Sequence, residues 1–145
     1  MSYVDLHVHS NASDGTLSPE QVVRLAHEAG LSAIALTDHD TTAGVAGAAE
    51  AGAELGLEVV PGIEVSSSFR DHEIHILGLF VDTDSPSLQA ALKEFRHHRD
   101  QRNQEMLGRF DAHGIHLTAE DLCAGNPDTV ITRAHVARAL LAKGL

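Results

Sequence analysis

The chain has 145 residues, of which 43 % are apolar, enough to build the core of a single domain and to exclude wholesale disorder. It carries 10 Lys plus Arg against 21 Asp plus Glu, a net charge of −11, and only 3 % aromatic residues, which argues against binding duplex DNA through a basic surface. The single Cys excludes an internal disulfide, so any metal site would have to use Asp, Glu and the 11 histidines.

The first part of the chain alternates strand and helix patterns. The predicted elements are a strand over 3–9, a helix from Ser18 to about Ala29, a strand over 33–36, a helix over about 42–55, and strands over 57–66 and 73–81. Strand residues 3–9 alternate apolar and polar side chains, whereas 33–36 is wholly apolar, as expected of a buried parallel strand. This order predicts an α/β fold.

From Pro86 the sequence becomes helical. It predicts a long helix from Pro86 to about His113, a short one from Thr118, and, beyond a break at Asn126-Pro127, a last helix from Thr132. There is neither an internal repeat nor a low-complexity linker. We therefore predict one domain, with β/α units over 1–85 and a helical segment over 86–145.

Ionisable residues recur at or near the ends of the predicted strands. The alternation of the first strand places His7 and His9 on one face, where two imidazoles can hold one cation. Strand ends in a β/α barrel meet at a shared mouth. The candidate metal ligands are His7, His9, Asp14, His39, Glu64 and His75. This donor set suits Zn²⁺, Mn²⁺ or Fe²⁺ and is large enough for more than one ion.

Three further carboxylates lie beside these candidates. We predict that Asp5, Asp38 and Asp40 orient histidines by accepting a ring N–H, with a helix N-cap as the alternative for Asp40. Six histidines lack a partner pattern and are assigned to the surface: His27, His72, His97, His98, His113 and His116.

Basic residues in the helical segment are candidates for anion binding. Arg99 and Arg102 fall on an apolar helical stripe, where burial is costly unless the guanidinium groups meet an anion. The alternative is that their stems reach out to solvent. Arg133 and His135, at the start of the last helix, form a second candidate pair because a helix N-terminus attracts phosphate.

Five short motifs carry a resemblance to a known family. They are Asp5-Leu6-His7-Val8-His9-Ser10, Ser13-Asp14-Gly15, Leu36-Thr37-Asp38-His39-Asp40, Gly62-Ile63-Glu64-Val65-Ser66 and His75-Ile76-Leu77-Gly78. In order and spacing they resemble the motifs of the polymerase and histidinol phosphatase (PHP) superfamily. Looser similarity through Arg96, Arg99 and Arg102, and from Asn126 to His135, is closest to its small stand-alone phosphoesterases.

The resemblance implies the N-terminal portion of a distorted (β/α)7 TIM-like barrel with a helical insertion after the fourth strand. It also implies a trinuclear metal site in which the six candidates above are ligands and Glu64 bridges two ions. Members of the family run to about twice this length and supply a further His, an Asp and another His. We therefore expect this chain to be a fragment of a longer protein, with a shortened member that has an incomplete site as the alternative.

The resulting hypothesis is a divalent-metal-dependent phosphoesterase acting on nucleotides, either a 3′,5′-bisphosphonucleotide or the 5′ end of a short RNA. A metal-bridging hydroxide would attack phosphorus, with two or three ions bound. Mn²⁺ is expected, and Zn²⁺, Fe²⁺ or Mg²⁺ would also fit. Arg99, Arg102, Arg133 and His135 would bind the substrate. His135, or a metal-bound water, would protonate the leaving oxygen.

Other functions remain open from the sequence. His-x-His at the start of a barrel is also how metal-dependent amidohydrolases begin. A non-catalytic metal-binding module is a second alternative, and a proofreading nuclease segment of a DNA polymerase is a remote third. No apolar run could span a membrane, and the N-terminus lacks the order of a signal peptide, so we expect a cytoplasmic protein.

Overall fold

The computed structural model describes residues 3–70, 72–123 and 126–145. Its elements are β1 (Tyr3–Val8), α1 (Pro19–Glu28), β2 (Leu31–Leu36), α2 (Val45–Leu55), β3 (Glu58–Phe69), β4 (His72–Leu79), α3 (Pro86–Ala112), α4 (Ala119–Cys123) and α5 (Arg133–Ala142). Every predicted strand and helix is present, with shifts of a few residues at the ends. Within the described ranges, no helix combines the length and the apolar character needed to cross a membrane.

The four strands form one curled sheet in the order β1-β2-β3-β4. The first three strands are parallel, and α1 and α2 provide the crossovers between them. β4 pairs antiparallel with β3, from Gly62 opposite Leu79 to Phe69 opposite His72. The connection between Phe69 and His72 is too short for a parallel crossover, so this pair has to be a hairpin. β4 therefore departs from the simple β/α repeat.

The main core lies between the sheet and the first two helices. Val23 of α1, Ile34 and Leu36 of β2, and Ala48 of α2 are fully buried there. Ser18 begins α1 as predicted, since its side chain accepts from the Gln21 backbone N–H while the Gln21 side chain accepts from the Ser18 N–H. This packing places the carboxyl ends of β1, β2 and β3 at one edge of the sheet.

The C-terminal segment reaches back to the loop after β1. A smaller apolar cluster joins α3, α4 and α5. Four contacts from the segment fix the backbone of loop residues 11–14: the Asn126 amide to Asn11 O (2.7 Å), Val130 N to Ala12 O (2.9 Å), Thr129 Oγ1 to Ser13 O (2.8 Å) and Arg138 Nη1 to Asp14 O (2.9 Å). Residues 126–138 therefore brace the loop that carries Asp14.

A buried ion pair attaches α3 to the loop after β2. Arg99 donates from Nε (3.0 Å) and Nη2 (2.6 Å) to Asp40 Oδ2, and both side chains are almost wholly buried. The Ser66 backbone N–H donates to Asp40 Oδ1 at 2.8 Å. Burial alone would raise the pKa of Asp40, but the bonds from Ser66 and Arg99 lower it overall. The anion that Arg99 meets inside this chain is therefore Asp40.

We expect replacement of Arg99 by Met to lower the free energy of unfolding by about 3–5 kcal/mol, because it leaves Asp40 buried without its counter-charge. Urea unfolding followed by circular dichroism measures this change. Arg109, an exposed arginine of the same helix, is the matched control, and R109M should cost no more than about 0.5 kcal/mol. The double variant D40N/R99M should recover part of the loss; equal stability of R99M and R109M would contradict the assignment.

Candidate metal centre

The buried carboxylate of Glu64 lies at the centre of a cluster of imidazoles. Its Oε2 atom is 2.9 Å from His7 Nε2 and 2.9 Å from His9 Nε2, and its Oε1 atom is 2.8 Å from His75 Nδ1. His39 Nδ1 lies 3.5 Å from Oε2. The two oxygens of one side chain thus face different histidines.

Strand geometry explains this convergence. The loop after β2 continues the parallel pairing, since Asp40 N donates to Glu64 O (3.0 Å) and Glu64 N donates to Asp38 O (3.2 Å), which sets His39 opposite Glu64. In the hairpin, His75 pairs with Ser66 and is a diagonal neighbour of Glu64. The imidazoles of residues 7, 9, 39 and 75 follow one another with centroid separations of 5.1, 4.7 and 4.9 Å.

Asp14 closes the cluster from the loop after β1. Its Oδ1 atom is 3.3 Å from His9 Nδ1, and its Oδ2 atom is 3.4 Å from His39 Nε2. Gly15 follows because the loop folds back onto the strand end: a Cβ at this position would lie 2.6 Å from His9 O. The Asp-Gly pair of the sequence is thus a consequence of this close backbone approach.

Both carboxylates of the cluster are held in their charged form. Hydrogen bonds from His39 and His9 hold the pKa of Asp14 far below its usual range, although burial acts in the opposite direction. Burial would raise the pKa of Glu64, but the hydrogen bond from His7 and the charge of His39 outweigh it and lower the pKa. For His9, burial lowers the pKa, and the bond to Asp14 with the nearby carboxylates raises it above its usual value overall.

The donor set fits divalent cations. Three overlapping groups have ligand atoms within 4.8 Å of one another, and together they use every candidate ligand predicted from the sequence: His7, His9 and Glu64; His9, Asp14 and His39; and His39, Glu64 and His75. His39 Nδ1 is buried without a hydrogen-bond partner among the described residues. A buried nitrogen of this kind needs a partner, and a metal ion would provide one. Imidazole with carboxylate is the donor chemistry of Zn²⁺, Mn²⁺ and Fe²⁺ sites.

The prediction that Asp5, Asp38 and Asp40 accept ring N–H groups is wrong. Asp5 accepts from the His7 backbone N–H (3.1 Å), and Asp40 is taken by Arg99 and Ser66. Nor does Asp40 cap a helix, because the N-cap of α2 is Gly44. The six histidines assigned to the surface are all exposed, as predicted.

Asp38 acts on the cluster through two serines of the family motifs, Ser10 and Ser13, for which the sequence predicted no role. It accepts from Ser10 N (2.8 Å), Ser10 Oγ (2.6 Å) and Ser13 Oγ (2.6 Å). Ser13 Oγ in turn lies 3.3 Å from His9 Nδ1. Asp38 therefore fixes the loop backbone and reaches His9 only through Ser13. The two serines that follow the His-x-His pair within four residues could have indicated this hydrogen-bond network.

Beside the cluster lies a cavity of about 130 Å³ that brings the candidate ligands and the predicted arginines together. Its lining includes Asp14, His39, Glu73, His75, Arg99, Arg102 and Arg133. Arg102 Nη1 is 3.4 Å from Glu73 Oε1, and Arg133 Nη2 pairs with Glu73 Oε2. Sequence reasoning missed Glu73, although it lies two residues before His75 and hence on the same strand face.

His135 is placed differently from the arginines. Its Nδ1 atom accepts from the Thr132 backbone N–H at 3.1 Å, which completes the capping box of α5, and the ring is buried. Burial lowers its pKa, and the charge of Arg138 adds to that effect. The charge of Asp14 and the Ser13 backbone act on the pKa in the opposite direction but do not outweigh the burial. The contact with Thr132 favours a structural role at the start of α5, and proton donation by His135 stays a prediction.

Comparison with known proteins gives a consistent family assignment. The PHP domain model matches residues 5–142. The chain is 40 % identical over 146 residues to a 3′,5′-nucleoside bisphosphate phosphatase of Chromobacterium violaceum, covering 99 % of this chain and 51 % of that protein. It is also 40 % identical over 140 residues to a 5′-3′ exoribonuclease of Haemophilus influenzae, covering 97 % and 51 %.

The fold is also found in a solved structure. A protein from Chromobacterium violaceum, described as an amidohydrolase with bound sulfate and no metal, superposes with a TM-score of 0.89 at 40 % identity. The match covers 97 % of this chain and 50 % of that one. The chain thus spans about half the length of the relatives that it matches.

If Glu64 is the central ligand, E64Q should weaken Mn²⁺ binding by more than about 100-fold, beyond the range typical for residues that only support a ligand. Isothermal titration of the metal-free chain with Mn²⁺ measures this. E50Q, on the exposed face of α2, removes a carboxylate away from the cluster and should bind as the unaltered chain does. Indistinguishable titrations of E64Q and E50Q would show that Glu64 holds no ion.

Proposed function

The chain belongs to the PHP domain family, and from this premise we propose that the protein is a divalent-metal-dependent phosphoesterase. The observation that carries the proposal is the adjacency of two features that this reaction needs. A cluster of metal donors surrounds Glu64, and a cavity lined by arginines opens directly beside it. A phosphate in that cavity would lie against donors and guanidinium groups at once.

The metal-binding part of the proposal rests on six residues. His7, His9, Asp14, His39, Glu64 and His75 would hold two or three ions, with Mn²⁺ expected and Zn²⁺, Fe²⁺ or Mg²⁺ also suited to the donors. When bound, the ions would activate water and offset the charge of the non-bridging phosphate oxygens. Glu64 would be the central ligand of this site, since its two oxygens face different histidines.

The three arginines of the cavity would have different roles in binding the substrate. Arg102 and Arg133 are partly exposed at the cavity and present N–H groups that suit phosphate oxygens. Arg99 borders the same cavity but is bound to Asp40, so its contribution would be to hold the cavity wall and add positive charge. The net charge of −11 is then no obstacle to an anionic substrate, because bound divalent ions would add positive charge beside the arginines.

The proposed substrate class is a phosphate ester of a nucleotide. Two relatives are named for a nucleoside bisphosphate and for the 5′-3′ degradation of RNA, and the chain is equally identical to both. A 3′,5′-bisphosphonucleotide would fit the first name, and the 5′ end of a short RNA would fit the second. We further propose that residues 1–85 and 86–145 form one domain, because segment 126–138 braces the loop of Asp14.

One observation favours a second candidate reaction. The solved relative described as an amidohydrolase has nearly the same backbone, and a metal centre of this composition also suits hydrolysis of a cyclic amide. The cavity distinguishes the two, since guanidinium groups on its wall suit an anionic phosphate better than a neutral amide.

The proposal predicts Mn²⁺-dependent release of phosphate from a 3′,5′-bisphosphonucleotide. The double variant H7A/H9A should lose both bound metal and at least about 100-fold in kcat/KM, because it removes two ligands. H97A/H98A, which removes two adjacent exposed histidines of α3, is the matched control and should keep both. Hydrolysis that survives the loss of metal would contradict the mechanism.

A substrate panel separates the rival functions. Phosphate release from nucleotides with no cleavage of dihydropyrimidines is the expected result. Cleavage of dihydropyrimidines alone would establish the amidohydrolase. A chain that binds Mn²⁺ and hydrolyses neither class would be a non-catalytic metal-binding module, and the proposed function would be wrong.

A further inference from the structure

We infer that Glu73 is a positioning residue of the metal centre: it holds the imidazole of His75 in the orientation that directs Nδ1 to the ions, and Arg102 and Arg133 hold Glu73 in turn. The inference rests on the proposed function, since it assumes that His75 is a ligand. It goes beyond it by assigning a role to a carboxylate that is not one of the six donors.

The contacts of Glu73 single it out. Its Oε1 atom lies 3.2 Å from His75 Nε2 and 3.4 Å from Arg102 Nη1, and its Oε2 atom pairs with Arg133 Nη2. The three partners come from three elements, β4, α3 and the start of α5. One carboxylate thus connects a candidate ligand to both arginines of the cavity.

His75 lies between two carboxylates that face its opposite nitrogens. Nδ1 faces Glu64 Oε1 at 2.8 Å, and Nε2 faces Glu73. An imidazole that binds an ion through Nδ1 carries its proton on Nε2, and a carboxylate there fixes both the tautomer and the ring plane. Glu73 therefore has the role that Asp5, Asp38 and Asp40 were predicted to have.

Arg102 and Arg133 hold the Glu73 carboxylate in place at an exposed position of the strand. Glu73 is 35 % exposed, and each guanidinium group is also partly exposed, so each ion pair alone would contribute little. Two guanidinium groups on different oxygens restrict the carboxylate far more than one would. One negative charge against two positive ones also leaves this group of three side chains with a net positive charge, which favours an anion.

The test compares Mn²⁺ affinity in four forms of the chain by isothermal titration. They are the unaltered protein, E73A, E73D and E58A, the last removing an exposed glutamate from the opposite end of the sheet, at the start of β3. E73A should bind about 10-fold more weakly or worse, the range seen when the partner of a ligand is lost. E73D should be weakened as well, because its carboxylate keeps the charge but is one methylene too short. E58A should be unchanged, and urea unfolding should show all four folded.

Each outcome has one meaning. If E73D binds Mn²⁺ as the unaltered chain does while E73A is weakened, Glu73 acts by charge alone and the positioning role is wrong. If neither substitution changes the affinity, the inference is also overturned. If the unaltered chain binds no Mn²⁺, the proposed function is wrong, and the inference that rests on it is overturned with it. A second readout is the His75 tautomer in the Zn²⁺-loaded protein by ¹⁵N NMR, which should be Nε2–H in the unaltered chain and mixed in E73A.

Discussion

The arrangement of this molecule depends on one buried carboxylate. Glu64 is charged, almost fully enclosed, and within 3.5 Å of four imidazoles, so the strands and loops that carry those histidines must converge at one place. Burying a carboxylate without partners would be prohibitive. Parallel pairing of β1, β2 and β3 supplies three of the histidines from one sheet edge, and the β3–β4 hairpin supplies the fourth from the side.

The two aspartates on either side of His39 connect the cluster to the neighbouring loop and helix. Asp38 binds the loop after β1 through Ser10 and Ser13, and Asp40 binds α3 through Arg99. Both adjoin His39, so the three consecutive residues 38–40 connect the loop, the cluster and the long helix. Further contacts connect the helical half of the chain to the candidate metal donors. Arg138 binds the Asp14 backbone, and α3 and α5 bring Arg102 and Arg133 to the cavity.

The sequence predicted those features that depend on neighbouring residues, and it did not predict contacts between residues far apart in the chain. Alternation placed His7 and His9 on one face, and the ends of parallel strands placed His39 and Glu64 together, because both are properties of a strand. The roles of Asp38 and Asp40 could not be predicted in this way, since their partners Ser10 and Arg99 lie 28 and 59 residues away and meet only after folding. Asp40 also adopts a left-handed backbone conformation (φ 52°), which the neighbouring residues in the sequence do not indicate.

We propose that the cluster around Glu64 holds divalent ions. Anomalous diffraction at the manganese edge, from crystals equilibrated with Mn²⁺, would show whether it does. We expect at least two peaks, enclosed by His7, His9, Asp14, His39, Glu64 and His75. An ordered cluster in which Glu64 keeps its hydrogen bonds to the imidazoles, with no anomalous density between them, would contradict it.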